Sequence, residues 1–125
     1  MKNDIENRED LHLIVSEFYN KLLIHKDMAQ FFEKFSDKAT LETHLNILVD
    51  FWDNILFYSG TYHENAMQPH VKLHKKKPFS KKHFNIWLEL FNSSVDEYFK
   101  GDNAQTIKNR ALSIATVMQI KTINS

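Results

Sequence analysis

The sequence predicts an all-α fold, and three observations carry that expectation. Glycine and proline, the residues that punctuate strands and turns, occur only twice each in 125 positions. The apolar–polar alternation of a half-buried strand is nowhere sustained. Apolar side chains instead return every three or four residues over long stretches, the spacing that collects them on one side of a helix.

Taken in order, the first stripe is Leu11, Val15, Phe18 and Leu22, with Ile14 and Tyr19 beside it. Tyr19 is therefore expected at the edge of a core-facing surface. Asp27 offers an N-cap for a short helix bearing Met28, Phe31, Phe32 and Phe35. Ser36 or Asp37 opens a third segment running to about Tyr58, on which Leu41, Leu45, Leu48, Trp52 and Ile55 repeat at helical spacing. His44 stands three residues after Leu41 and four before Leu48, which turns its imidazole toward the buried side. Ser59 and Gly60 are expected to end this helix, Gly60 taking the left-handed conformation.

From Thr61 to Lys77 the pattern weakens to loop, one or two helical turns, and loop. Pro69 suits the first turn of such a short helix, which would carry His70, Leu73 and His74. Ser80 caps the fourth long helix, with Phe84, Trp87, Leu88, Phe91, Val95 and Phe99 on its inner face. Gly101 closes it and Asp102 or Asn103 opens the last. Ile107, Ala111, Ile114, Ala115, Met118 and Ile120 form the final stripe. No repeat, low-complexity tract or linker interrupts the chain, so a single domain over 1–125 is expected.

Composition narrows the function classes. There is no cysteine, which excludes disulfides and thiolate metal sites. Sixteen basic residues balance sixteen acidic ones, and that neutrality argues against a dedicated nucleic-acid binder. The opening ten residues read as polar throughout, with no signal peptide, and no apolar run approaches the ~18 residues of a membrane span. A cytoplasmic protein is the expectation. Ten Phe, two Trp and four Tyr exceed what a small helical core needs, which fits a flat apolar ligand inside or simply a Phe-rich core.

Seven histidines invite a search for chemistry. His12, His25, His63 and His83 fall among polar neighbours and are expected in solvated surface roles. His70 and His74 are spaced i, i+4, close enough on one helix to clamp a divalent metal, although no second ligand pair accompanies them. His63 and Glu64 lack the second His of a zinc-protease helix. A di-iron bundle would need ligands spread over four helices. Tyr19, His44 and Trp87 are polar-tipped residues on three different inner faces, and each needs a hydrogen-bond partner once buried. A pocket holding a polar ligand would supply all three. Lys75, Lys76 and Lys77 read as a solvated loop or as cations facing a cofactor's carboxylates. Serine elbows, phosphate-cradling glycine loops, paired catalytic carboxylates and flavin or nicotinamide motifs are missing.

The order of these residues resembles a known family. Phe18 and Tyr19 are followed by His44, by Phe51 and Trp52 eight residues on, by His70-Val71-Lys72-Leu73, and by the block from Phe84 through Ile86, Trp87, Leu88, Glu89 and Leu90 to Phe91. Together with Arg110–Ala115 and Val117–Ile120, that set is similar to the group III truncated haemoglobins, bacterial globins built as a two-over-two helical sandwich. The likeness spans about residues 8 to 120, and the paired glycine motifs of the other truncated-globin groups are absent, as in group III.

The resemblance implies a haem b cofactor with His70 as the single protein ligand to iron, His74 being the alternative if the alignment slips. It implies Tyr19, His44 and Trp87 as the catalytic or ligand-contacting residues of the opposite side. Leu48 would lie over the haem and Phe31 or Phe32 along its edge, with Phe51, Phe79 and Phe84 as further haem contacts. The implied partners are O2, NO, CO or other small ligands, and a separate reductase. The implied activities are gas binding, nitric oxide dioxygenation or peroxidase-like chemistry. Two rivals explain the helices without haem: a non-haem metal protein using His70 and His74, and a cofactor-free helical interaction module.

Overall fold

Four α-helices, in two pairs laid one on the other, make up the described part of the protein. The structure is a computed structural model, and it describes residues 2–58 and 79–123, the last three without side chains. Helix α1 is Arg8–Ile24, α2 Lys38–Phe57, α3 Lys81–Asp96 and α4 Asp102–Ile123. Two short 3-10 turns, Ala29–Phe31 and Glu33–Ser36, join α1 to α2. Helix α1 packs on both α2 and α3, α3 packs on α4, and α4 also touches α2.

The helix starts follow from local chemistry. Asn7 accepts from the Asp10 N–H at 3.0 Å, and Asp37 accepts from the Thr40 N–H at 2.9 Å, each satisfying a first-turn donor that the helix itself cannot. Ser80 precedes α3, where its own N–H donates to His83 Nδ1 at 2.9 Å. The expected α1 stripe is buried in full, including Ile14 and Tyr19. Of the α4 stripe, Ile120 departs: it is 58% exposed and lies outside the core.

Three boundaries differ from the sequence expectation. Helix α2 ends on Tyr58, which takes the left-handed conformation (φ 55°) foreseen for Gly60; Gly60 itself lies outside the described residues. Met28 to Phe35 form 3-10 turns rather than one short helix, and Asp27 does not cap them. In 3-10 geometry residues i and i+3 eclipse, and Phe32 and Phe35 accordingly stack at 6.3 Å. Helix α3 stops at Asp96, so the buried Phe99 belongs to the connection, where it bridges to Asn3.

The polar N-terminal segment is part of the fold. Ile5 is buried, and the Asp4 carboxylate accepts from the N–H groups of Asn103 and Ala104, both at 2.9 Å, capping α4 from the other end of the chain. Gly101 is required at this junction: with φ 150°, a Cβ there would sit 2.5 Å from the Asp4 carboxyl carbon.

The core is aromatic at its centre. Phe18 meets Tyr19, Trp87 and Phe91 edge-on at 5.5, 5.5 and 5.3 Å, and Trp52 stacks on Phe91 at 5.3 Å. Such contacts add about 0.5–1.5 kcal/mol each beyond area burial. Arg8 bridges Asp50 (2.7 Å) and the buried Asp53 (2.9 Å), tying the start of α1 to α2. No helix of the described residues is long and apolar enough to cross a membrane.

Candidate functional site

Helical spacing brings two of the expected site residues into direct contact. Tyr19 projects from α1 into the core, 2% exposed, and its hydroxyl lies 2.7 Å from Nε2 of the half-buried His44 on α2. Burial pushes the Tyr19 phenol far above its usual range, because a phenolate there would lose its hydration without a cation to replace it. The hydroxyl therefore keeps its proton.

That proton has two destinations. Either the phenol O–H donates to a neutral Nε2, or an Nε2–H donates to the phenol oxygen and leaves the O–H to point elsewhere. The second arrangement makes Tyr19 a donor toward a third group, with its direction set by His44.

A cavity of about 40 Å³ opens beside the pair. Helix α1 contributes Val15, Phe18 and Tyr19 to its wall, and α2 contributes Leu48, Phe51 and Trp52. Trp87 and Phe91 of α3 and Ile114 of α4 complete it, so its surface is almost wholly carbon. By volume it has room for a few atoms, since roughly 10–15 Å³ on this measure admits one water, but an apolar wall offers water few of the two to four polar partners it needs. Trp87 is 7% exposed, with its indole nitrogen buried.

The remaining site candidates divide into two groups. Leu48 and Phe51 line the cavity, and Phe32 packs edge-on against the Tyr19 ring at 5.7 Å. Phe31, Phe79 and Phe84 build a separate cluster away from the cavity wall, with Phe31 4.3 Å from Phe79 and Phe79 5.2 Å from Phe84. His70, His74 and the run Lys75–Lys77 lie outside the described residues, as does His63. Among the described residues no group of three or more His, Cys, Asp and Glu could hold a metal ion.

Of the histidines expected on a solvated surface, His12, His25 and His83 are partly exposed and also have structural partners. His12 Nε2 pairs with Glu42 at 3.0 Å across α1 and α2, and His25 Nδ1 accepts from the Asp27 N–H at 3.1 Å. His83 serves the α3 cap, and its ring stands edge-on to Phe31 at 4.9 Å. Sequence reasoning also missed Val15, Phe18, Trp52, Phe91 and Ile114 as cavity residues. Each was already legible as core, and nothing in a core position says whether it faces another side chain or a void.

No protein-family model matches the chain. A group 3 truncated hemoglobin, ctb, of Campylobacter jejuni subsp. jejuni serotype O:2 is 30% identical over 122 residues, which cover 95% of this chain and 93% of that protein. The crystal structure of group III truncated hemoglobin from Campylobacter jejuni shares the fold with a TM-score of 0.85 at 27% identity, over 98% of this chain and 95% of that one. An all-α sandwich of two helix pairs and a relative of this similarity along almost its whole length lead to one conclusion: the chain belongs to the group III truncated haemoglobins.

Proposed function

We propose that this chain, as one domain over residues 1–125, holds haem b through His70 and binds O2 or another diatomic gas on the face lined by Tyr19, His44 and Trp87. The observation that carries the reading is the 2.7 Å contact between Tyr19 and His44 at the edge of an apolar cavity that Trp87 also lines. Hydrogen-bond donors on two of the lining residues, Tyr19 and Trp87, with His44 behind Tyr19, suit a small ligand that gains negative charge on binding. The wall suits a porphyrin face equally, with Leu48 and Phe51 as the apolar surface over it and Phe32 supporting Tyr19. The cluster of Phe31, Phe79 and Phe84 is assigned to the haem edge.

Haem supplies, when bound, one iron centre with a side open to a small gas. The chain supplies the rest. Tyr19, kept protonated by burial, would offer its O–H to a gas held beside the cavity wall. His44 donates from Nε2 to the phenol oxygen and so fixes the direction of that O–H. Trp87 offers an indole N–H from α3, while Leu48 and Phe51 exclude water, which would compete for both donors. A hydrogen bond to a charged acceptor contributes about 1.5–3 kcal/mol, so each donor slows release roughly ten- to hundredfold. A site of this kind holds its gas rather than delivering it. It is suited to nitric oxide dioxygenation or peroxidase-like chemistry, with electrons from a separate reductase.

An absorption spectrum of the purified protein, reduced and carbon monoxide-bound, tests the reading. An intense haem band that His70→Gly abolishes or badly weakens is the expected result. A colourless yet fully folded protein would overturn it, and haem retained in His70→Gly but lost in His74→Gly would move the iron ligand to His74.

A further inference from the structure

The His44 imidazole is held on a second side. The Phe35 ring lies 4.5 Å from it at an interplanar angle of 23°, a stacked pair, and the same Phe35 ring meets Tyr19 edge-on at 5.5 Å. Tyr19 in turn meets His44 edge-on at 5.1 Å, so the three rings touch pairwise. A hydrogen bond at Nε2 restrains one atom of the imidazole more than it restrains the tilt of the ring. A stacked neighbour fixes the plane. Neither contact alone defines both.

Phe35 is built to stay where it is. It is 6% exposed, its N–H donates to Phe32 O at 2.9 Å, and its ring stacks on Phe32. The Lys34 ammonium stands 5.1 Å from the ring centre. Two residues later Asp37 caps α2 through the Thr40 N–H and, at 2.6 Å, the Thr40 hydroxyl. The turn carrying Phe35 thus leads directly into the capped start of the helix carrying His44. His44, by contrast, is only half-buried, so a ring released from Phe35 has solvent to turn into.

We infer that Phe35 is a positioning residue of His44: its ring holds the imidazole against the Tyr19 hydroxyl and so limits passage past His44 to the neighbouring cavity. The inference rests on the proposed ligand-binding role of Tyr19 and His44. Losing one aromatic contact shifts the balance between the held and released ring roughly 2- to 12-fold. Gas association along the His44 side rises by the same factor.

The test compares native protein, Phe35→Leu, His44→Leu and the double variant, using haem-loaded protein and carbon monoxide rebinding after photolysis. It pairs these rates with NMR of ¹³C-labelled histidine, in the reduced, carbon monoxide-bound form and equally in the haem-free protein, where His44 reports its own environment. Phe35→Leu is expected to move the His44 signals toward solvent-exposed values and to speed association roughly 2- to 12-fold. The same replacement on top of His44→Leu is expected to change nothing further, and Phe35→Tyr, which keeps the ring, to restore native behaviour. Equal effects in both backgrounds, or unmoved His44 signals, would overturn the inference. Should Phe35→Leu not fold, Phe35→Met fills the same space without a flat face and carries the same comparison. A protein without haem sinks the proposed function alone, because the His44 signals of the native and Phe35 variants still decide the role of Phe35.

Discussion

Two junctions in this molecule join segments far apart in the chain through a few polar atoms, and they are built to opposite ends. At one, the Asp4 carboxylate accepts from the backbone N–H groups of Ile5, Asn103 and Ala104, while Asn103 donates to Ile5 O at 2.8 Å. At the other, the Tyr19 hydroxyl meets His44 Nε2 inside the core. The first is an acceptor saturated by donors that do not move, with Gly101 leaving no room for adjustment. The second is a single proton between groups that both donate and accept. A contact that only stabilises commits every atom, whereas one that manages a ligand keeps a choice of direction.

The contrast is broken most forcefully at Gly101. Gly101→Ala places a Cβ on the Asp4 carboxylate and forces a φ that side chains avoid, so the strain and the lost cap together should cost about 2–4 kcal/mol in denaturant unfolding. A loss of under about 0.5 kcal/mol, the level of ordinary surface changes, would mean the junction yields. Asp4→Ala removes only the cap and should cost about 0.5–2 kcal/mol, with gas binding untouched.

The pH dependence is a smaller effect of known sign. Burial tends to raise the Asp4 pKa, but N–H bonds from Asn103, Ala104, Ile5 and Asp102 outweigh it and hold the carboxyl below its ordinary value. Asp37 is lowered likewise by the Thr40 hydroxyl and N–H. A depressed folded pKa gives stability that is complete above the unfolded value of 3.8 and is lost as pH falls through the folded one. Acid unfolding of Asp4→Ala should therefore show a shallower loss below that pH than native protein; parallel curves would remove Asp4 from the account. Tyr19→Phe should likewise cost only about 1 kcal/mol, for one hydrogen bond, since the ring still fills its place.

What could be read from the chain, and what could not, follows the range of each interaction. The cap at Ser80 was legible because its partner lies three residues away, and that at Asp37 was legible to within one residue, Ser36 being the alternative. The α1 stripe was legible because its period needs no partner at all, and it put Tyr19 on the right face. Tyr58 was not: a left-handed tyrosine contradicts local preference, and Gly60 two residues on was the better local choice. The role of Asp4 spans about a hundred residues, so no window of sequence contains it, and the opening segment read as merely polar although Ile5 is core. The stacking of Phe35 on His44 was hidden for another reason. Eclipsed phenylalanines belong to a 3-10 turn, and the sequence suggested a helix. The inward placement of Tyr19, His44 and Trp87 was legible because each stands on a long, strongly periodic helix.

The O2 dissociation rate of Tyr19→Phe, measured against native protein by ligand replacement, bears most directly on the claim that this corner manages a gas. With the donor removed and the cavity otherwise intact, release should accelerate roughly ten- to hundredfold while the fold persists. An unchanged rate in a folded, haem-loaded variant would contradict the account and leave the Tyr19–His44 contact a packing detail.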